Sequence, residues 1–471
     1  MSAIKSFTPE LLSPAGTMTH LKYAFAYGAD AVYAGQPRYS LRVRNNSFKD
    51  VDALREGIDY AHARGKQFYL ASNIAPHNDK VRSYLRDLAP IIELKPDALI
   101  MSDPGLIMLV KEQWPDQEIH LSVQANAVNW ATVKFWYQQG ISRVILSREL
   151  ALEEVAEIRQ RVPAMELEVF VHGALCMAYS GRCLLSGYMN HRDANQGACT
   201  NACRWDYKTV EHATDASGDM VPKRKPIPVN GNGSPKVHVP GAPEQEEPSS
   251  FDELMQSARA YDPFEVKELL LEDPKQPGEF VPVYEDEHGT YIMNSRDLRA
   301  VQHVKDLIEI GVHSLKIEGR TKSPYYVART AQIYRRAIDD AVAGKEFDMG
   351  LMDQLEALSS RGYTEGFFRR HPPQDFQSYE KGTSQLGTEQ LVGEVIDADD
   401  QWLTVDVKNR FQLGDNLTLM SPAGNLQLAL DTIENRHGEK VEVAPGSGHV
   451  VRIPRSAGLA STDYCLITRH L

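Results

Sequence analysis

The chain is poor in cysteine, with five in 471 residues. It has no long apolar run. The most apolar stretch, "DALIMSDPGLIMLV", is broken by Ser102, Asp103, Pro104 and Gly105, so no segment of the sequence is expected to span a bilayer. The opening "MSAIKSFTPELL" lacks a basic region followed by an apolar one, which argues against a secretory signal. These absences predict a cytoplasmic protein, where thiols stay reduced and clustered cysteines mean metal or redox chemistry rather than structural disulfides. Positive charge is also in deficit: 51 Lys and Arg stand against 64 Asp and Glu, for a net charge of −13. A broad basic surface for polyanions is disfavoured, while a local basic cleft is not.

What is present is an ordinary globular composition, 42% hydrophobic and 24% charged, in a chain long enough for two or three domains. Short β-rich runs alternate with helical patterns over the first 175 residues. The runs cover 10–16, 30–35, 67–73, 97–103, 119–126, 143–149 and 167–173, and an eighth, "HSLKIEGR", covers 313–320. Helices are expected over 51–64, 79–93, 104–113, 129–139, 151–161, 297–310 and 325–343, where apolar residues recur at spacings of three and four. Eight strands alternating with helices predict an α/β fold, a (β/α)8 barrel, with an open doubly wound sheet as the alternative.

The barrel is expected from residues 1–207 plus 286–370. Residues 208–285 read as an inserted, partly disordered excursion rich in Pro, Gly and charge, with a short helix at "FDELMQSARA". A linker comes next, over 371–387. The remainder, 388–471, alternates apolar and polar residues between turn signals and predicts a small C-terminal antiparallel β-barrel.

Four of the five cysteines fall within 28 residues, at Cys176, Cys183, Cys199 and Cys203. Cys199 and Cys203 share one face if helical, and the seven-residue spacing of the first pair permits the same. Four thiolates suit either zinc or a [4Fe–4S] cluster. The long first spacing favours the wider cluster. A catalytic thiol beside His172 is a third reading, but it leaves three cysteines without a role. Cys465, in "TDYCLIT", reads as core.

The stretch from Glu168 through Phe170, Gly173, Ala174, Leu175, Cys176, Gly181, Cys183 and Leu185 to Ser186 resembles the signature of the U32 peptidase family, also called collagenase-like proteases. The resemblance continues through "ELLSPAG", "GADAVYAG", "NSRDL", "HSLKIEGR" and "RGYTEGF". It covers the chain outside residues 211–285. The overall form is similar to the branch that makes 5-hydroxyuridine at the wobble position of tRNA. The resemblance implies an iron–sulfur cluster, of the [4Fe–4S] type, on Cys176, Cys183, Cys199 and Cys203. It also implies tRNA as substrate and prephenate, or a similar small carboxylate, as a required metabolite and potential oxygen donor.

Polar residues gather where the apolar runs stop, and a closed barrel brings those ends to one rim. His172 is the candidate for proton transfer, with Arg148 and Glu318 as further catalytic candidates. Arg42, Arg44, Arg148 and Arg320 offer forked donors to carboxylates. Asn73, Gln124, Asn126 and Lys316 complete the expected substrate-binding set, the amides at Gln124 and Asn126 being suited to a uracil edge. Cations interleave with Tyr188, Trp205 and Tyr207 in a pattern suited to single-stranded RNA. Two other classes stay open at this point: a peptidase with one activated nucleophile, and a non-catalytic RNA-binding protein with a structural metal.

Overall fold

The structure is a computed structural model. It describes residues 7–41, 47–175, 297–358, 360, 362–369, 387–455, 459 and 461–471, together with six short strands between 208 and 290.

The eight apolar runs form strands: β1 (Glu10–Pro14), β2 (Ala31–Gly35), β3 (Gln67–Ala71), β4 (Ala98–Met101), β5 (Ile119–Leu121), β6 (Arg143–Ile145), β7 (Glu166–Ala174) and β8 (Ser314–Ile317). Each is parallel to its neighbour, and β8 pairs with both β7 and β1, so the sheet closes. The expected (β/α)8 barrel is therefore the fold.

The loops leaving the strands end in residues that cap helices, and this turns each chain crossing back along the sheet. Thr17 caps α1 (Met18–Ala26), Asp50 caps α2 (Val51–His62), and α3 spans Asn78–Ile92. Asp103 caps α4 (Pro104–Gln113), accepting from the Leu106 N–H at 2.8 Å, with Pro104 in the first turn where its missing donor costs nothing. Asn129 caps α5 (Trp130–Gln138), and α6 covers Leu152–Arg161. Beyond α7 (Val304–Ile310), Gly311 adopts φ +87° and ends the helix in the left-handed conformation. Ser323 caps the long α8 (Pro324–Val342), again with proline at the first position, and α9 spans Gly350–Glu356.

Two local expectations need correction. The helix expected over 297–310 begins only at Val304; Asp297–Arg299 is instead a short strand pairing antiparallel with the end of β7. Helix α1 was not among the expected helices. It buries His20, Leu21, Tyr23, Ala24 and Phe25 on more than one side, which blurs the one-faced periodicity that marks an amphipathic helix.

Residues 389–471 form an antiparallel sheet that includes β9 (Glu389–Ala398), β10 (Trp402–Val407), β11 (Leu417–Ser421), β12 (Gly424–Leu428), β13 (Val450–Pro454) and β14 (Leu466–His470). It has its own core of Val392, Leu403, Val405, Phe411, Leu417, Leu419 and Ile467. It docks on α1 and α8 through directed polar contacts. Tyr27 donates to the carbonyls of Met420 and Tyr464, Tyr23 to Glu394, and Gln332 to the Ser421 carbonyl. Arg329, 1% exposed, pairs with Glu389 at 2.5 Å.

Residues 203–294 cluster as a compact unit of their own. Strands at 289–290, 280–286, 267–272 and 208–210 form one antiparallel sheet, and 212–214 pairs with 220–222. The Pro- and Gly-rich composition did not announce these strands. The expected helix at 251–260 lies outside the described residues. Among the described residues, no helix is long and apolar enough to cross a membrane.

Candidate functional site

The interior of the barrel carries a column of charge, and it leads to a cavity at the C-terminal mouth. Side chains alternate in and out along a strand, and the inward positions include Glu10 on β1, Arg143 on β6, Glu168 on β7 and Lys316 on β8. Arg143 Nη1 lies 2.7 Å from Glu10 and 3.4 Å from Glu168. Lys316 Nζ lies 2.7 Å from Glu168 Oε1. Glu168, fully buried, thus joins the arginine below to the lysine above. Burial acts against the charges in this column: it raises the Glu10 pKa against the pull of Arg143, and it lowers that of Lys316 against the pull of Glu168. His120, edge-on to Tyr69, is held neutral by burial, with Arg143 and Lys316 adding to the effect.

Above Lys316 the barrel opens into a cavity of about 130 Å³. Tyr33, Phe170, Ile100 and Ile145 supply apolar wall; Lys316, Arg148, Arg320 and Glu318 supply charge; Asn73, Ser122 and Gln124 supply a polar side. The Arg148 guanidinium carbon stands 3.6 Å from the Phe170 ring centre, and its Nη2 lies 3.8 Å from Glu318 Oε2. Arg320 Nη1 donates to Ser40 at 3.1 Å. Tyr33 donates to the Ile317 carbonyl at 3.0 Å and faces Glu318 at 3.4 Å, and burial holds its phenol protonated.

The structure therefore brings together six of the residues expected at the site: Asn73, Gln124, Arg148, Lys316, Glu318 and Arg320. The amides are largely engaged with each other. Asn73 Nδ2 donates to Gln124 Oε1 at 3.0 Å, Gln124 Nε2 donates back to the Asn73 carbonyl at 3.1 Å, and Ser122 also donates to Gln124 Oε1. They tie the ends of β3 and β5 together and shape the mouth.

Two expected residues sit elsewhere. Asn126 ends a 3₁₀ turn (Val123–Ala125) beyond β5, at φ +52°, and does not line the cavity. The run over 119–126 is a strand only to Leu121, and the turn redirects the chain after it. His172 is turned off the cavity by a register shift. Phe170 pairs with Lys316 and His172 with Ile317, so Val171 is an extra residue opposite one step of β8. Such a bulge reverses which face the next side chain takes. His172 instead packs among Tyr326, Tyr334 and Tyr363, with ring centres 5.5–5.7 Å away. Burial lowers its pKa to about 3, so it is neutral near pH 7 and does not face the cavity as a proton donor.

Arg42, Arg44, Cys176, Cys183, Cys199 and Cys203 lie outside the described residues, as do Tyr188, Trp205 and Tyr207. The described chain leads toward the cysteine segment from Ala174, which lines the cavity. Among the described residues, no group of three or more His, Cys, Asp and Glu side chains converges to hold a metal. The metal expectation thus rests on the cysteines. Sequence reasoning missed Tyr33, Phe170, Ser122, Glu168 and Arg143 as parts of the site or its support. The available signal was a charge set inside an apolar strand, in "LEVFV" and "RVIL", where an inward position has no solvent to meet it.

The model for peptidase family U32 matches residues 16–378, and the model for the C-terminal domain of that family matches residues 388–465. The chain is 57% identical to tRNA hydroxylation protein P of Escherichia coli over 98% of its own length and 97% of the relative's. It is 57% identical to the protein of the same name from Haemophilus influenzae, over 99% and 97%. It is 26% identical to a 23S rRNA 5-hydroxycytidine synthase of Escherichia coli, over 94% of this chain and 57% of that one.

Proposed function

The chain belongs to peptidase family U32, and from that premise we propose that it is a tRNA-modifying hydroxylase that converts the wobble uridine to 5-hydroxyuridine. The relatives named for tRNA hydroxylation match it from end to end, which supports tRNA as substrate and hydroxylation as reaction. The relative named as a 5-hydroxycytidine synthase supports position 5 of a pyrimidine as the target.

The observation that carries this reading is the cavity. Three cations, Arg148, Lys316 and Arg320, line it, all largely buried, in a chain with a net charge of −13. Three cations gathered on one small cavity, with Glu318 as the lining carboxylate, give that cavity a local excess of positive charge. A small carboxylate such as prephenate complements that charge, with guanidiniums as forked donors. The target base then approaches from the rim, where an anticodon loop can present a splayed nucleotide.

Cys176, Cys183, Cys199 and Cys203 would hold an iron–sulfur cluster, of the [4Fe–4S] type in this reading, since four thiolates make up its complete ligand set. When bound, such a cluster supplies electron transfer. The chain's own residues bind and orient: Arg148 and Arg320 the carboxylate, Tyr33 and Phe170 the flat faces, Glu318 the guanidinium of Arg148. The described lining of the cavity does not offer a peptidase an activated hydroxyl. Among the described lining residues the only Ser or Thr hydroxyl, that of Ser122, donates to an amide rather than to a base.

The test is nucleoside mass spectrometry of tRNA incubated with protein purified without air, with and without prephenate. 5-Hydroxyuridine that needs both protein and metabolite supports the reading. Peptide hydrolysis without any modified uridine overturns it.

A further inference from the structure

The cavity floor is a primary amine in a setting that simple charge recognition does not require. Lys316 is 3% exposed. Among the described residues its Nζ makes one hydrogen bond, to Glu168 Oε1. An ammonium has three N–H donors. The other two have the faces of Tyr33 and Phe170, 4.4 and 5.4 Å from Nζ, and the cavity itself.

The charged and titratable groups around it are Glu168 on β7, Tyr33 on β2, His120 on β5, Arg143 on β6 acting through Glu168, and Glu318 and Arg320 just beyond β8. Burial and Arg320 disfavour the ammonium more than Glu168 and Glu318 favour it, so its pKa is lowered. The carboxylate at 2.7 Å is placed to take the proton. Only the uncharged amine has the lone pair that makes a nucleophile.

The surroundings of this amine set the ligand class. An amine reacts with a carbonyl, and the guanidiniums of Arg148 and Arg320 on the same cavity suit a carboxylate. A molecule that satisfies both is a small oxo acid.

We propose that Lys316 captures the carbonyl group of a small oxo acid as a Schiff base at the floor of the cavity. The ammonium gives one proton to Glu168. The nitrogen lone pair forms the N–C bond as the C=O π bond breaks, and the second nitrogen proton passes to the oxygen, giving a carbinolamine. Glu168 returns its proton to that hydroxyl, which leaves as water while the nitrogen lone pair closes the C=N bond. One water is released, Glu168 ends as it began, and no oxidant or reductant is consumed. This deepens the reading that the cavity holds the small co-substrate, and it rests on that reading.

The experiment uses the full-length protein with pyruvate as probe and sodium cyanoborohydride to reduce any imine, followed by digestion and mass spectrometry. The expected result is a stable adduct on the peptide bearing Lys316, absent in Lys316→Arg and formed more slowly in Glu168→Gln. Arginine keeps the charge but not the nucleophile. Hydroxylation of tRNA by Lys316→Arg is therefore expected to fall by about 10²-fold or more, with circular dichroism unchanged. A wild-type chain that hydroxylates tRNA yet gives no adduct at Lys316 overturns the inference alone, as does Lys316→Arg with wild-type turnover. An adduct at Lys316 in a chain that leaves tRNA unmodified supports the capture and overturns the tRNA reading alone.

Discussion

The guanidinium of Arg148 lies over Phe170 with its central carbon 3.6 Å from the ring centre, while its Nη2 faces Glu318 at 3.8 Å. The ring fixes one side of the cation and the carboxylate one edge. Such a held guanidinium loses little freedom when it binds a carboxylate. Arg148→Ala is expected to raise the co-substrate concentration needed for half-maximal modification by about 10-fold or more, at the level of a lost charge-assisted hydrogen bond. Arg148→Lys should recover only part of this, because an ammonium lacks the fork. Titrating the carboxylate against 5-hydroxyuridine yield checks both.

His172 offers a pH test with a defined sign. Its pKa falls from 6.5 to about 3 through burial. Between those values the unfolded chain binds the proton and the folded chain does not, so stability falls as pH drops from about 6.5 toward 3. His172→Phe should remove that part of the acid-side loss, seen in denaturant midpoints across pH. It should leave the pH profile of tRNA modification unshifted. A shifted profile would mean that His172 handles protons in turnover.

Gly173 sits at φ +101°, with Glu318 across from it. A Cβ there would lie 2.5 Å from the Glu318 carbonyl oxygen and 2.9 Å from the Tyr326 hydroxyl. Gly173→Ala is expected to cost about 1–3 kcal/mol from backbone strain alone. It should also depress turnover by displacing the segment that carries Glu318. Thermal unfolding and modification assays on the same preparation separate the two effects.

The fold was legible because the eight apolar runs alternate with helical patterns in which apolar residues recur at spacings of three and four; the caps Asp50, Asp103 and Asn129 were seen only in the structure. The cavity was legible in part for the same reason: a closed barrel gathers strand ends, and Asn73, Gln124, Arg148, Glu318 and Arg320 are strand-end residues. His172 was not, since a single extra residue at Val171 reverses its side, and nothing in "VFVHG" marks a bulge. Glu168 and Arg143 stand in the sequence as charges in apolar strands, but their pairing is not legible there, since only closure of the sheet brings them together. Arg329 lies in a helical pattern where an arginine reads as solvated; docking of the C-terminal sheet buries it.

Arg329 and Glu389, paired at 2.5 Å, have little solvent access. Removing one partner leaves the other charge buried alone, at a cost of about 3–5 kcal/mol. Arg329→Ala should lower the melting temperature accordingly. Deletion of residues 388–471 should destabilise the barrel for a different reason, since it uncovers the faces of α1 and α8 on which the sheet docks, so loss of tRNA affinity in that truncation must be read beside its stability.

If the four cysteines hold one cluster, they behave as a unit. Cys176→Ala, Cys183→Ala, Cys199→Ala and Cys203→Ala should each lose iron and tRNA modification together, because a cluster missing one thiolate is labile. Cys465, buried in the C-terminal core with a raised thiol pKa of about 11, should cost only stability when changed to Ala, about 1–2 kcal/mol. Iron and sulfide assays on each anaerobically purified variant decide it. A variant that keeps full iron identifies a cysteine that is not a ligand.

The central claim is that this chain hydroxylates tRNA and that the cation-lined barrel mouth carries the reaction. Its most direct test is nucleoside mass spectrometry of tRNA from cells lacking this chain and supplied with the wild type, Arg148→Ala or Arg320→Ala. 5-Hydroxyuridine is expected to disappear on deletion, return with the wild type, and stay low with both variants at equal protein levels. Undiminished 5-hydroxyuridine in the deletion strain would contradict the function. Full restoration by both variants would contradict the site.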